Sequence, residues 1–259
     1  MDPHRLLWAH LPPADATLTT VTVLRFAAGD RLWAFQQMGR ARAPLAATPG
    51  LRFWRLCGSG RGFSAWPDLS RYALVAAWSE RQAAEAFFAA APVFADYRAR
   101  AAEAWTVALA TLRARGSWGG ACPFGHGVED LPADLPVAVL TRASLRLRGL
   151  PGFWARAPAI DRRLQASPGL RVALGIGELP WIQPVTFSVW DDAASLERFA
   201  YGGTCHEAGA QAARARRWFA EALFLRFAAV GSAGALDGQD PAALTGSSGT
   251  RAPRDARHP

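Results

Sequence analysis

The sequence predicts an α+β protein built from two copies of one βαββαβ unit. Three observations point there. First, strings recur about halfway along the chain. "LAATPGLR" at 45–52 returns as "LQASPGLR" at 164–171, an offset of 119, and "VTVL" at 21–24 returns as "VAVL" at 137–140, an offset of 116. Trp78, Glu85 and Phe87 map to Trp190, Glu197 and Phe199 at offset 112, and Trp105 maps to Trp218 at 113. Second, each copy alternates β-rich segments with segments of helical apolar spacing, in the same order. Third, such a unit places both helices on one face of an antiparallel sheet, so its other face needs a cover. Two units in one chain can cover each other. The expected architecture is therefore a tandem ferredoxin-like repeat packed as an intrachain dimeric α/β barrel.

The elements follow in order. Residues 1–17 form an N-terminal extension, and 18–115 hold the first repeat. Its strand 18–26 is followed by a helix over 30–47, whose apolar stripe runs through Leu32, Phe35 and Met38. "GLRFWRL" (50–56) and "RYALVAAW" (71–78) alternate as strands. "SERQ" reads as a capping box, with Ser79 as cap and Gln82 as its partner. The helical stretch it opens runs to about 104 with a break at Pro92, and "WTVALATL" (105–112) is the closing strand. A Gly- and Pro-rich linker covers 116–136. The second repeat, 137–230, contains strands at 137–144, 170–175, 184–190 and 218–229 and helices at 150–166 and 193–217, the latter capped by Asp191 or Asp192. Residues 231–259 have turn-forming composition and are expected to be a mobile tail.

Composition excludes several function classes. No apolar run is long enough for a membrane span, and the N-terminus lacks the basic and apolar regions of a secretory signal, so a cytoplasmic location is expected. The net charge is +8, yet all 29 basic residues are Arg, they are scattered, and no nucleic-acid motif accompanies them. No nucleic-acid partner is expected, although a basic surface suits an anionic membrane face. Cys57, Cys122 and Cys205 are widely spaced, without a disulfide framework or a CxxC pair.

The copies differ at one place. At offset 112, His206 in "GTCHEAG" falls opposite Phe94 in "PVFADYR". Around His206 the residues one helical turn away, Gly202, Gly203, Gly209 and Ala210, are all small. Glycine in a helix costs about 0.5–1 kcal/mol relative to Ala, so the cluster implies a steric need or a helix break. A haem iron takes a neutral imidazole as axial ligand, and a flat porphyrin reaches it only where neighbouring side chains stand clear. Arg214 and Arg217 continue the same face toward haem propionates. The alternative is a half-buried helix histidine, bonded to backbone, in a chain rich in Ala and Gly throughout. Cys205 points about 100° away around the helix, and His126, beside Cys122 in the linker, lacks a rigid platform. "CGSGRGF" (57–63) precedes a strand and reads as a hairpin loop.

Several long, Trp-punctuated strings resemble the spheroidene monooxygenase family, the acyclic carotenoid 2-ketolases of purple photosynthetic bacteria. They are "RLWAFQQMG" (31–39), "TPGLRFWRLCGSG" (48–60), "ARAAEAWTV" (99–107), "RGSWGG" (115–120), "LTRASLR" (140–146), "GIGELPWIQPVTFSVWDD" (175–192), "CHEAGAQAAR" (205–214) and "WFAEALFLRF" (218–227). The resemblance spans roughly 18–240, and the family pattern has Pro where this chain has Cys205. It implies a haem b (iron) monooxygenase of carotenoid biosynthesis that uses O2 and reduced ferredoxin. The product implied is the 2-oxo carotenoid, formed by successive hydroxylations of substrates such as spheroidene, and a place peripheral to the photosynthetic inner membrane is compatible with it. With the chemistry that the resemblance implies, Arg142, Thr186 and Ser188 are the distal candidates for steering dioxygen, and Trp154, Trp181, Phe187, Trp190 and Phe199 suit an apolar substrate channel or a plain core. The residues alone leave open another oxygenase or haem enzyme on the same barrel, or a non-catalytic haem- or carotenoid-binding protein.

Overall fold

A computed structural model describes residues 5–13, 16–125, 127–128, 131–179, 181–201 and 218–243. The elements are β1 (Leu7–Trp8), β2 (Leu18–Phe26), α1 (Arg31–Arg40), α2 (Arg42–Ala46), β3 (Leu51–Gly60), β4 (Pro67–Trp78), α3 (Arg81–Ala90), α4 (Pro92–Arg100) and β5 (Ala101–Gly116), followed by β6 (Val137–Leu145), α5 (Leu150–Gln165), β7 (Leu170–Gly177), β8 (Pro184–Trp190), α6 (Ala193–Tyr201) and β9 (Phe219–Gly234).

The strands form one sheet in the order β1-β9-β5-β2-β4-β3-β7-β8-β6, and β6 also pairs with β9. That last pairing closes eight antiparallel strands into a barrel, and β1 extends one edge of β9. Within residues 18–116 the strands lie fourth-first-third-second, and within 137–234 they lie the same way. The two halves meet at two seams of unequal length. β5 and β9 pair from Trp105↔Gly234 to Gly116↔Leu223, whereas β3 and β7 share only Gly58↔Gly177 and Ser59↔Ile176.

Alternation along each strand separates a barrel interior from an outer, helix-covered face. Val21, Val23, Trp105, Leu140, Phe187 and Phe227 are buried together in the interior. Leu18, Trp78, Phe87 and Phe94 pack under the first half's helices, and Val137, Leu164, Trp190 and Leu196 under the second's. The register corrects two of the repeat offsets. Leu18 pairs with Trp78 and Val137 with Trp190, so β6 stands 119 residues after β2, as "LQASPGLR" stands after "LAATPGLR", and not 116. A three-residue slip would turn Val137 from the helix-covered face into the interior, because side-chain direction alternates with period two. Trp105 lies opposite Val23 inside the barrel, where its counterpart opposite Arg142 is Leu223; Trp218 precedes β9 and packs against Gly149 and Gly152 on the outside.

The recurring "PGLR" has a local cause. Gly50 and Gly169 have φ of +73° and +80°, and a Cβ would lie 2.4 Å from Ala83 in the first case and 2.3 Å from Ser195 in the second. Both glycines turn the chain into a strand beneath a helix, and a bulge follows each, after Leu51 and after Leu170.

Helix ends differ in part from expectation. Asp192 caps α6, its Oδ1 accepting from the Ser195 amide at 2.6 Å. Ser79 does not cap α3: the helix starts at Arg81, and the Ser79 amide is tied instead to the Gly50 carbonyl at 2.8 Å. The helical break at Pro92 is present, between α3 and α4.

The expected linker and tail plug the barrel. Trp118 and Phe124 are buried in the interior cluster. β9 runs to Gly234, beyond the expected boundary at 230, and Leu236 and Ala242 are buried as well. Asp240 accepts from Trp105 Nε1 at 2.8 Å and from Ser232 Oγ at 2.5 Å. The tail therefore does not begin at 231, and residues 244–259 lie outside the described residues. Next to Trp118 sits a charged cluster. Arg142 pairs with Glu221, and Arg55 pairs with Glu178 at 2.7 Å, which also accepts from Trp118 Nε1 at 2.6 Å.

Glu221 accepts from the Gly120 amide at 2.8 Å, from Ser117 Oγ at 2.7 Å and from the Gly119 amide at 3.1 Å. These bonds, the Gly120 amide first, hold its carboxyl at about 2. A depressed folded pKa contributes stability above the unfolded value near 4.5, and that contribution is lost as pH falls toward 2. Glu221→Gln should therefore lower stability at pH 7 by on the order of 1–3 kcal/mol, by urea denaturation. The gap to the unsubstituted protein should shrink between pH 4.5 and pH 2. A gap constant over that window contradicts the assignment.

Candidate functional site

The outer face of the second half is hollow where that of the first half is filled. Under α3 and α4 the rings of Phe87, Phe88 and Phe94 pack on one another and on Trp78, and the void beside Phe94 and Tyr97 is only about 10 Å³. Under α5 and α6 a cavity of about 620 Å³ opens, within the range of about 300–1,000 Å³ typical of ligand pockets.

Its floor is the outward-facing set of the second half's strands: Val139 and Thr141 of β6, Thr186, Ser188 and Trp190 of β8, Gly175 of β7, and Arg226 of β9. Its roof is one face of α5, through Phe153, Ala157, Ile160 and Leu164, and Leu196 and Phe199 of α6. Those α5 positions recur at three- and four-residue steps, which puts them on one stripe of the helix. At the deep end Trp190 is fully buried, 5.3 Å from the Phe199 ring.

From there the cavity crosses the short β3–β7 seam into the first half, along Gly58, Gly60 and Gly177, and reaches Phe35, Met38, Leu69 and Tyr72. The glycines matter at the crossing. A Cβ on Gly175 would come within 2.5 Å of the Gly62 carbonyl, so the β3–β4 hairpin can lie directly on β7. The Phe63 amide donates to Asp161 Oδ2 at 3.2 Å and ties this hairpin to α5. Tyr72 is 6% exposed, and its hydroxyl has no hydrogen-bond partner among the described residues. Burial, with the charge of Asp68 adding to it, raises its pKa.

The lining carboxylates are engaged: Glu178 with Arg55, Glu197 with Arg226 at 3.3 Å, and Asp68 with Ser70, whose hydroxyl donates at 2.6 Å. Arg113 and Arg226 bring positive charge to the walls. Among the described residues the lining has no His or Cys, and no group of three metal-ligating side chains occurs.

Of the residues singled out from the sequence, Thr186, Ser188, Trp154, Trp181, Trp190 and Phe199 all line this cavity. Ser188 Oγ accepts from Trp190 Nε1 at 3.0 Å, which leaves its own hydroxyl hydrogen to be donated elsewhere. Two others point the opposite way, because their strand positions have the other parity. Phe187 is buried in the barrel interior, 6.4 Å from the Trp105 ring. Arg142, 3% exposed, sits over Trp118 and pairs with Glu221, so it does not share a wall with Thr186 and Ser188. His206, Gly202, Gly203, Gly209, Ala210, Arg214 and Arg217 lie outside the described residues.

Sequence reasoning missed the first half's share of the site: Phe35, Met38, Tyr72 and the hairpin 58–69. The available signal was the pair of Gly-rich strings "CGSGRGF" and "GIGELPW", which the fold brings together at the short seam. Cys57, in the first string, faces the barrel interior, and burial raises its thiol pKa.

No family model matches the chain. Among solved structures, an aldoxime dehydratase shares the fold, with a TM-score of 0.56 at 11% identity over 89% of this chain and 88% of that one. The spheroidene monooxygenase of Rhodobacter capsulatus is 38% identical over 230 residues, 87% of this chain and 95% of that protein. That of Cereibacter sphaeroides is 35% identical over 244 residues, 93% and 74%, and that of Rubrivivax gelatinosus is 33% identical over 236 residues, 89% and 90%. At these identities over nearly the whole chain, the protein belongs to the spheroidene monooxygenase family.

Proposed function

We propose that this chain is a haem b-dependent monooxygenase, built on a duplicated βαββαβ unit. It introduces an oxo group at C-2 of acyclic carotenoids such as spheroidene, with reduced ferredoxin as electron donor. The observation that carries this reading is the aromatic-walled cavity of about 620 Å³, long enough to run from one half of the barrel into the other, in a chain of this family. An apolar cavity with few polar groups matches an acyclic polyene, which offers little for hydrogen bonds to recognise.

The cavity also fits a haem in character. Its walls are apolar and aromatic, and Arg113, with Arg226 beside its partner Glu197, would supply positive charge for propionates. In this reading His206, which follows α6 in the chain, would hold the iron; Phe199 and Ala200, near the end of that helix, line the cavity. Gly202, Gly203, Gly209 and Ala210 would give the porphyrin room, and Arg214 and Arg217 would add propionate partners. When bound, the haem supplies the activation of dioxygen that attack on an unactivated methylene requires.

The chain's own residues then orient and dry the site. Trp154, Trp190, Phe199 and Phe153 hold the polyene end and exclude water. Ser188 and Thr186 supply hydroxyl donors on the same wall, with Ser188 Oγ held in place by Trp190 Nε1. Arg142 has a structural task instead, neutralising Glu221 at the barrel end. Successive hydroxylations at one carbon, followed by loss of water, give the ketone.

The purified protein loaded with haem should show a Soret band, and His206→Ala should weaken or abolish it. An unchanged spectrum in that variant rules out His206 as ligand. Ala157→Phe, which fills the cavity from α5, should lower spheroidene turnover by about tenfold or more, with the urea midpoint changed far less. Full turnover in that variant places the substrate elsewhere.

A further inference from the structure

Among the described residues, eleven large apolar side chains are exposed, and six of them line this one cavity: Phe35, Trp66, Leu69, Leu179, Trp181 and Phe224. Soluble surfaces carry single exposed apolar residues without consequence, but a contiguous apolar patch marks an interaction site. Trp66 is 75% exposed and Trp181 is 53% exposed.

The rim is built, not incidental. Trp181 has φ of +67°, a left-handed conformation unfavourable for a bulky residue. Its indole Nε1 donates to the Ala65 carbonyl at 2.7 Å, and its own carbonyl accepts from Trp154 Nε1 at 3.0 Å. These two bonds stitch the β3–β4 hairpin, the β7–β8 turn and α5 into one edge around the opening.

Charge says what the edge meets. The carboxylates lining the cavity are engaged as described, Glu178 and Glu197 with arginines and Asp68 with Ser70. Arg61 in the hairpin, Arg113 in the cavity wall, and Arg31, one turn from Phe35 on α1, are exposed. Apolar and aromatic side chains with exposed arginines on the same elements, on a chain of net charge +8, are complementary to a bilayer with anionic headgroups.

Size points the same way. A cavity of about 620 Å³ suits one drug-sized ligand. With a haem in the same cavity, as in the reading above, only one end of a long polyene would fit, and the rest would remain outside the mouth. Water is a poor place for it.

We propose that the rim formed by Phe35, Trp66, Leu69, Leu179 and Trp181 docks on an anionic lipid surface, so that the substrate passes from the bilayer into the cavity end-first while its far end stays in lipid. The substrate part of this inference rests on the carotenoid reading above; the docking part does not.

The test is co-sedimentation of the full chain with pigment-free vesicles of phosphatidylglycerol and phosphatidylcholine, and with phosphatidylcholine alone. Binding should be stronger on the anionic vesicles and weaken in high salt. Trp66→Glu with Leu179→Glu should lower the partition coefficient by about tenfold or more. Leu7→Glu, an equally exposed position on β1 away from the rim, should bind as the unsubstituted protein does. Near-ultraviolet circular dichroism confirms that each variant is folded, and Trp66→Ala, which adds no charge, should give a smaller loss in the same direction.

Vesicle binding that the rim variants leave unchanged overturns the proposal. So does an absence of vesicle binding, with a dimer in solution that the rim variants convert to monomer. Turnover of detergent-dispersed carotenoid without vesicle binding would sink the docking and spare the enzyme reading. Vesicle binding without turnover would do the reverse.

Discussion

The unequal pairing of the two seams is the constraint on which the site depends. A closed barrel leaves no free strand edge, and here β5 and β9 close one side along almost their whole length. The other side is closed by Gly58↔Gly177 and Ser59↔Ile176 alone. Across that short seam the β3–β4 hairpin leans over β7 to reach Asp161 on α5. The space under that hairpin is the passage joining the deep, buried end of the cavity to its exposed mouth. The interior, by contrast, is packed with Trp105, Phe187, Phe227 and the inserted Trp118 and Phe124. The barrel interior is core, and the cavity lies on the outer face.

The two halves share a strand order and so present two similar outer faces, and side-chain volume separates them: one is filled and the other holds a cavity. The first half spends its aromatic residues on a cluster of Trp78, Phe87, Phe88 and Phe94. In the second half Trp190 and Phe199 occupy the positions corresponding to Trp78 and Phe87, yet their rings form the end wall of an open cavity. The same parity rule sorts the candidate polar residues. Thr186 and Ser188 share the cavity wall with Trp190, whereas Arg142, on an even-numbered position of β6, shares the interior with Leu140 and meets Glu221.

Much of this was legible in the sequence. The strand and helix order, the helix break at Pro92 and a cap at Asp191 or Asp192 follow from periodicity and capping chemistry, because those signals are local. What was not legible depends on pairing between distant strands. An offset of 116 in place of 119 for β6 came from matching "VTVL" with "VAVL", two strings of like composition that a β-register distinguishes only through which face is buried. The linker and the start of the tail read as loose because Gly and Pro dominate them, yet Trp118, Phe124 and Leu236 each carry enough apolar surface to anchor a loop in the barrel. The first half's contribution through Phe35 and Tyr72 was hidden for the same reason: nothing local says that α1 lies beside the mouth of a cavity in the other half.

The most direct measurement is a crystal structure of the haem-loaded protein with an acyclic carotenoid bound. One end of the polyene should lie against Ser188 and Trp190, and the chain should leave over the Gly58–Gly177 seam between Trp66 and Trp181. Density for the polyene inside the barrel beside Phe187 and Trp105, or against α3 and α4 of the first half, would contradict the assignment of the site.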